Sequence, residues 1–365
     1  MEQRGIFFPL GVSAARTLRW SGKVSWILSL VLAFLLVGCS NQNSSGSSGA
    51  SASPTASSHE YENPVIQTNF PDPSILQAGN IYYAYATNGN GKNVQAARST
   101  DLVHWTLLPD AMPTIASWAQ PVSSYIWAPD VIQLGNRYVM YYVARDNVSN
   151  RQCVGVATST NPAGPFVDSS NQALVCQSSQ GGTIDPYPLL DGNTLYLYVK
   201  NDGNCCQFPT YIWVQHLTSD GLHVVGSPKA LIQNDHAWEG SVIEAPSMYK
   251  HNGRYYLFFS ANDYSGSQYA IGYATCQTAL GPCTQSPENP ILSSNRNQNP
   301  PLIGPGGQSV FSVGNQTWMV YHSWNESGGI QGASRYLWLS RINWVNNKPQ
   351  VRQPTSGPQS LPPTQ

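Results

Sequence analysis

A corner that recurs five times along the chain constrains the fold more than any other feature. Each copy leads through a few apolar residues to a tight turn and then to a strand rich in aromatic residues. The copies begin at Asp72, Asp130, Asp185, Glu244 and Gln308, and the first four starts are 58, 55 and 59 residues apart. A repeat of this length that is built from hairpins indicates the blades of a propeller.

The strand-rich texture continues without a break over residues 60–351, which indicates one domain. Five copies give about 58 residues per blade, enough for four strands and their loops. No long stretch has the helical period. A sandwich or a barrel would also contain many short strands, but the near-constant spacing favours an all-β, five-bladed β-propeller. We expect the tail, residues 352–365, to be disordered because it is rich in Pro, Gln and Ser.

The first 39 residues resemble an export signal. Arg16, Arg19 and Lys23 precede the apolar run 26–37, which is too short for an ordinary membrane-spanning helix. The run ends in Leu-Val-Gly-Cys39, which resembles the cleavage box of bacterial lipoproteins, in which the Cys becomes the lipidated N-terminus. A plain secretory signal or an anchor helix is the alternative. The Ser-rich residues 40–59 are expected to form a flexible tether. We therefore expect a protein that a lipid anchors to the outer face of a bacterial membrane, or a secreted one.

Six further cysteines follow Cys39, an even number that suits disulfides in an exported chain. The pairs that the spacing favours are Cys153–Cys176 and Cys276–Cys283. The neighbours Cys205 and Cys206 fit either a vicinal disulfide or two free thiols. No Cys/His spacing resembles a zinc site.

The composition suits a neutral partner. Charged residues make up only 10% of the chain, aromatic residues make up 11%, and the formal net charge is −1. Such a surface gives no electrostatic footing for nucleic acid, whereas it suits sugars. We expect no nucleic-acid partner, a monomer, and contact with a membrane only through the lipid.

Four of the five corners carry a carboxylate, namely Asp72, Asp130, Asp185 and Glu244. In a propeller the innermost strand of each blade begins near one mouth of the central channel, so corner residues converge there. The flanking prolines fix the backbone and keep the carboxylates out of local caps. An Asp before a Pro is also ordinary turn chemistry, but four such corners in register are hard to explain in that way.

The corner motifs resemble glycoside hydrolase family 43. In chain order they are Pro71-Asp72-Pro73-Ser74, Trp127-Ala128-Pro129-Asp130, Ile184-Asp185-Pro186 and Glu244-Ala245-Pro246, and the resemblance extends over about residues 60 to 350. The family implies a five-bladed propeller and inverting enzymes that act on arabinan and xylan. On this resemblance Asp72 corresponds to the general base and Glu244 to the general acid. Asp130 corresponds to the carboxylate that orients the acid and tunes its pKa, and Asp185 is expected to support the wall of the site.

These roles agree with the chemistry of inversion. The two carboxyl groups must lie about 6.5–9.5 Å apart, which leaves room for a water beside the anomeric carbon. Residues on opposite blades across a narrow channel can supply that gap. Glu244 must hold its proton near neutral pH, which a nearby anionic Asp130 would favour, while Asp72 must stay ionised.

Three further residues are candidates for substrate binding. Trp127 and Phe70 adjoin acidic corners and could each lie against a pentose ring, although ordinary packing explains them equally well. Arg335 lies where the family often has an arginine that contacts substrate in the last blade. A surface ion pair is the alternative for this residue.

The chain departs from the family pattern at the fifth corner. The family frequently has Gly-Pro-Gly-His there, whereas this chain has Gly-Pro-Gly-Gly-Gln308. Gln308 could offer a carbonyl oxygen to calcium, and His322 matches a second family histidine, for which a structural role in the core fits as well. We expect that no cofactor is required and that a calcium ion in the central channel would be structural.

The sequence thus predicts a hydrolase that acts on arabinose- or xylose-containing plant polysaccharides or oligosaccharides. We favour α-L-arabinofuranosidase or endo-1,5-α-L-arabinanase activity over β-xylosidase activity. Many xylosidases of the family that the chain resembles carry an added β-sandwich, and none is expected after residue 351. One alternative is a sugar-binding propeller that has lost catalysis, but all three proton-transfer carboxylates are present. A retaining fructan hydrolase would need Asn-Asp-Pro-Asn-like and Arg-Asp-Pro motifs, which the sequence lacks. The sugar, the linkage and exo or endo action depend on loops around the channel mouth.

Overall fold

The computed structural model of the protein describes residues 60–325, 333–351 and 359–363. These segments form 21 β-strands and four short 3-10 helices. Within them, no helix combines the length and the apolar character needed to cross a membrane. The predicted signal and tether lie outside the described residues.

Five antiparallel sheets follow one another along the chain as blades I to V. Blade I contains β2 (Ser74–Ala78), β3 (Ile81–Ala86), β4 (Gln95–Ser99) and β5 (Thr106–Leu107). Blade II contains β6 (Trp127–Leu134), β7 (Arg137–Arg145) and β8 (Gln152–Ser159), and blade III contains β9 (Thr183–Asp191), β10 (Thr194–Asn201), β11 (Tyr211–Leu217) and β12 (Val224–Gln233). Blade IV contains β13 (Ile243–His251), β14 (Arg254–Ala261), β15 (Ala270–Cys276) and β16 (Cys283–Gln285). Blade V contains β17 (Gly306–Val313), β18 (Gln316–Trp324), β19 (Arg335–Val345) and β20 (Lys348–Val351).

The first strand of each blade is the innermost. Strands β2, β6, β9, β13 and β17 contact one another in that cyclic order, so the five blades close into a ring. The 3-10 helices, which lie between strands, are Ser123–Tyr125, Ser178–Gln180, Gly203–Cys206 and Ala237–Glu239. The prediction of an all-β, five-bladed β-propeller is confirmed.

Alternation along the strands builds the core. On β3, Tyr82 and Ala84 pack into the cluster shared with blade V, whereas Tyr83 and Tyr85 pack into the cluster shared with blade II. Successive side chains of a strand point to opposite faces, so one aromatic strand supplies two junctions. An apolar cluster fills each of the five junctions between neighbouring blades. This arrangement explains the high aromatic content.

The two ends of the propeller are joined by backbone hydrogen bonds. Strand β1 (Glu60–Tyr61) pairs with β21 (Gln359–Ser360), and the Phe70 N–H donates to the Arg335 carbonyl at 2.8 Å. The segment that precedes blade I therefore runs along blade V and covers its edge. The expectation of a disordered tail is wrong for Gln359–Ser360, because pairing with β1 gives this short segment a fixed partner.

The predicted cysteine pairing is present in the structure. Disulfides link Cys153 to Cys176, Cys276 to Cys283, and the neighbours Cys205 and Cys206. The last of these resolves the open alternative in favour of the vicinal disulfide. The Cys276–Cys283 bond joins opposite residues of β15 and β16, at the outer edge of blade IV.

Candidate active site

The blade corners open into one cavity of about 600 Å³ at the mouth of the channel. Its lining includes seven of the residues that the sequence singles out: Asp72, Trp127, Asp130, Asp185, Glu244, Gln308 and Arg335. Asp72 and Glu244, which are more than 170 positions apart in the sequence, thus line the same cavity. The prediction that the corners converge is confirmed.

Each blade corner contains a residue in the left-handed backbone region, but this residue is acidic in only two of the five blades. Each blade has one residue in the left-handed region at this point: Asp72, Ala128, Asp185, Ala245 and Gly307, with φ of 52°, 40°, 54°, 52° and 59°. The first four each precede a proline. Asp72 and Asp185 therefore occupy equivalent positions. Glu244 lies one residue before that position and Asp130 lies two residues after it, so the four carboxylates are not in register as expected.

Asp72 is held as a carboxylate by three neighbours. The Arg335 Nη1 donates to its Oδ1 at 3.0 Å, the Thr87 hydroxyl donates to its Oδ2 at 2.6 Å, and the His322 Nδ1 lies 3.3 Å from Oδ1. Burial alone would raise the pKa of Asp72, but the Arg335 charge and the hydrogen bond from Thr87 lower it well below its ordinary range. Asp72 is therefore ionised at neutral pH, as a general base requires.

Glu244 lies between a cation and a second carboxyl group. The Lys200 Nζ donates to its Oε2 at 3.0 Å, and the Tyr269 hydroxyl donates to its Oε1 at 2.8 Å. Asp185 accepts a hydrogen bond from the Ala245 N–H at 2.9 Å. Burial, and then the charge of Glu244, raise the pKa of Asp185 to about 8. At neutral pH this corner of the cavity therefore holds a proton close to Glu244.

Asp130 has different surroundings from those expected. Burial raises its pKa well above the ordinary range, and its charge acts on Tyr85 and Tyr187. Its position along the innermost strand is equivalent to that of the buried Ser247 of blade IV. The charge of Glu244 thus acts on Asp185, which occupies the blade III corner, whereas Asp130 lies two residues beyond the blade II corner.

The candidate binding residues have different outcomes. Phe70 is fully buried in the cluster between blades I and V, so its predicted role as a sugar platform is wrong. Trp127 lines the cavity, and its platform role stays a prediction. Arg335 lines the cavity as well, but its guanidinium binds Asp72 and lies over the Tyr264 ring at 5.1 Å. It is thus first of all the partner of the base.

The proposed metal ligands do not form a calcium site by themselves. The Gln308 Oε1 already accepts from the Ser260 hydroxyl, and its Nε2 donates to the Ala245 carbonyl. His322 is fully buried against Tyr269, with Nδ1 accepting from the Asp72 N–H and Nε2 without a partner. Calcium takes six to eight oxygen ligands, which one imidazole nitrogen and one engaged amide do not provide. A structural calcium ion stays a prediction, and no step depends on it.

Three side chains around the carboxylates were missed from the sequence: Thr87, Lys200 and Tyr269. Lys200 gave a signal, since it is a charged residue in the otherwise apolar aromatic run of β10. Because a buried cation needs a partner, a lysine in this run predicts a nearby carboxylate. Tyr269 gave none, because 20 tyrosines are spread over the chain.

A five-bladed propeller whose channel mouth gathers an ionised carboxylate and a carboxyl group that retains its proton fits a glycoside hydrolase of the propeller class. The chain belongs to glycosyl hydrolases family 43, which it matches over residues 61–349. The family that the corner motifs predicted is thus confirmed, as is the prediction that the protein is a glycoside hydrolase.

Known relatives cover nearly the whole propeller. The chain is 29% identical over 301 residues to the "Probable arabinan endo-1,5-alpha-L-arabinosidase C" of Aspergillus flavus, covering 77% of this chain and 90% of the relative. It is 25% identical to the "Extracellular endo-alpha-(1->5)-L-arabinanase 1" of Bacillus subtilis, covering 76% of this chain and 86% of the relative. A crystal structure of a thermostable family-43 glycoside hydrolase superposes with a TM-score of 0.74 at 31% identity, covering 84% of this chain and all of that one.

Proposed function

We propose that this protein is an inverting glycoside hydrolase that cleaves α-L-arabinofuranosyl bonds in arabinan or in arabinose-containing oligosaccharides. The observation that carries the proposal is that one cavity lowers the pKa of Asp72 and raises the pKa of Asp185, which lies beside Glu244 in the sequence of corners. Asp72 is paired with Arg335 and stays ionised, whereas Glu244 shares its surroundings with the protonated Asp185. An inverting enzyme needs this asymmetry between base and acid.

In the proposed reaction, Asp72 accepts a proton from a water molecule as that water attacks the anomeric carbon. Glu244 donates its proton to the leaving oxygen as the glycosidic bond breaks. The resulting Glu244 carboxylate is stabilised by hydrogen bonds from Lys200 and Tyr269. These two donors are already in place, so little reorganisation accompanies the charge change.

Asp185 is the carboxyl group that we propose as the partner of the acid. It carries a proton up to about pH 8 and its charge is coupled to that of Glu244. An ionised Asp185 would favour a protonated Glu244, as proton donation requires. The orienting role expected of Asp130 passes to Asp185 on this proposal, since the charge of Glu244 acts on Asp185.

The substrate rests on the relatives. Both curated relatives described above are named for arabinan 1,5-linkages. The cavity also suits a neutral sugar, since its cations already contact its own carboxyl groups, Arg335 with Asp72 and Lys200 with Glu244. We further propose that the protein is exported and that lipid at Cys39 tethers it, on the strength of the cleavage box. Mass spectrometry of the protein from bacterial membranes would detect the lipid on Cys39.

The test compares linear arabinan, an aryl α-L-arabinofuranoside and an aryl β-xyloside as substrates for the same preparation. Proton NMR of the first product should show an inverted anomeric configuration. We expect Glu244→Gln and Asp72→Asn to remain folded and to lose at least about a thousandfold in kcat/KM on arabinan. Binding of arabino-oligosaccharide without turnover in the unmodified protein would instead support a sugar-binding propeller, and a retained configuration would exclude this mechanism.

A further inference from the structure

Lys200 is a fully buried cation at the end of β10, directly beside the proposed acid. Its Nζ lies 3.0 Å from the Glu244 Oε2 and 3.7 Å from the Asp202 Oδ1. Burying an ammonium group is costly unless its protons are all satisfied, so its position depends on every partner it has. A third partner, Asn204, also contacts the Lys200 Nζ.

The Asn204 Oδ1 accepts from the Lys200 Nζ at 2.6 Å. Asn204 lines the same cavity as Glu244, and its own position comes from the 3-10 helix Gly203–Cys206. The Lys200 ammonium thus contacts Asn204 and Glu244 at the same time. A displaced Asn204 would leave Lys200 free to turn away from the acid.

The 3-10 helix is too short to hold Asn204 by its own hydrogen bonds. Three further contacts fix it. The Cys205–Cys206 disulfide joins the two residues that directly follow Asn204, and the guanidinium of Arg151 lies on the sulfur atoms, 2.7 Å from the Cys206 Sγ. The Phe208 N–H closes the turn by donating to the Gly203 carbonyl at 2.9 Å. Cys205 itself lines the cavity, so this cross-link belongs to the site wall.

We propose that the disulfide-closed turn Gly203–Cys206 is a positioning unit for the acid: it holds Asn204 on Lys200, and Lys200 in turn orients the Glu244 carboxyl group toward the leaving oxygen. This inference rests on the proposed function. It assigns a role in proton donation to a cysteine pair that lies outside the reacting groups. Neither cysteine touches the reacting atoms on this proposal.

The experiment uses the dependence of the rate on the leaving group. Donation of a proton matters for a poor leaving group such as phenol and little for a good one such as dinitrophenol. We expect Asn204→Ala and the double variant Cys205→Ser/Cys206→Ser to lose about tenfold to a hundredfold in kcat on the phenyl glycoside, the size of one hydrogen bond to a charged group. On the dinitrophenyl glycoside both should stay within about twofold of the unmodified enzyme.

The double variant Cys276→Ser/Cys283→Ser is the matched control, since it removes a disulfide at the outer edge of blade IV. It should keep both rates. Equal losses on both glycosides in Asn204→Ala would show general damage and overturn the proposal, as would wild-type rates in that variant. Asn204→Ala keeps all disulfides, so it decides the question even if the cysteine variant misfolds. Failure of the unmodified enzyme to cleave any glycoside would overturn the proposed function itself.

Discussion

Gly307 offers the sharpest test of how the site is built. It is the blade V member of the left-handed corners, with φ of 59°, and a Cβ there would lie 2.6 Å from the His322 Nδ1 and 2.9 Å from the Asp72 Oδ1. A side chain in this backbone region costs about 1–2 kcal/mol. The overpacking adds about 1–3 kcal/mol, because His322 is fully buried and Asp72 is fixed by Arg335.

We therefore expect Gly307→Ala to lower the free energy of unfolding by about 2–5 kcal/mol. Because the added methyl group would press on both the His322 ring and the Asp72 carboxylate, kcat should also fall at least about tenfold. Urea unfolding and steady-state kinetics on arabinan measure the two effects.

The matched control is Gly314→Ala in the same blade. Gly314 has φ of 57°, and a Cβ there would meet nothing within 4 Å. It should lose only the backbone term of about 1–2 kcal/mol and keep its kcat. The reasoning would be refuted if the two variants lost equal stability, or if Gly307→Ala kept wild-type turnover.

Three predictions concern the protonation of the site. The kcat/KM should fall as pH rises above about 8, because Asp185 then loses the proton that it holds beside Glu244, and a pH profile measures this. Asp185→Asn should lower kcat on arabinan at least about tenfold, whereas Asp130→Asn should have the smaller effect; the reverse order would restore the sequence-based assignment. Arg335→Met should raise the pKa of Asp72, because a charge that lowers it is gone, so the acid limb of kcat/KM should move to higher pH; an unchanged limb would contradict the pairing.

Much of the fold follows from local pattern. The period-2 alternation of aromatic residues on strands such as β3 requires two buried faces, and a ring of blades provides them without free edges. The joining of β1 to β21 could not be read in the same way, because it links residues about 300 positions apart through two-residue strands. Such short segments carry no periodic signal.

The site was predicted with one error of register. Aligning the blades on their acidic residues made Asp130 equivalent to Asp72. Aligning blades I to IV on the proline that follows the left-handed residue makes Asp185 the equivalent of Asp72 and places Ala128 at the blade II corner. The blades have in common a left-handed backbone residue at the corner, not a carboxylate. In blades I to IV the proline that follows marks this residue in the sequence. The contact of Lys200 with Glu244 joins two blades and had no such local marker.

Asp185 also predicts a conflict between stability and activity. The unfolded chain releases the proton of Asp185 near pH 3.8, whereas the folded protein keeps it up to about pH 8. Between these pH values the unfolded state is stabilised because it releases the proton that the folded protein keeps. Asp185 therefore lowers the free energy of unfolding by more as pH rises. Asn tolerates the left-handed backbone, stays neutral and can still accept from the Ala245 N–H.

Asp185→Asn should therefore match the unmodified protein in free energy of unfolding near pH 4 and exceed it at pH 8 by an amount of the order of 1 kcal/mol, reduced by solvent in the cavity. Urea unfolding at the two pH values measures the difference. An advantage that did not grow with pH would mean that the proton near Glu244 does not reside on Asp185. A growing advantage together with lost turnover would show that a buried acidic group is kept here for catalysis at the expense of the fold.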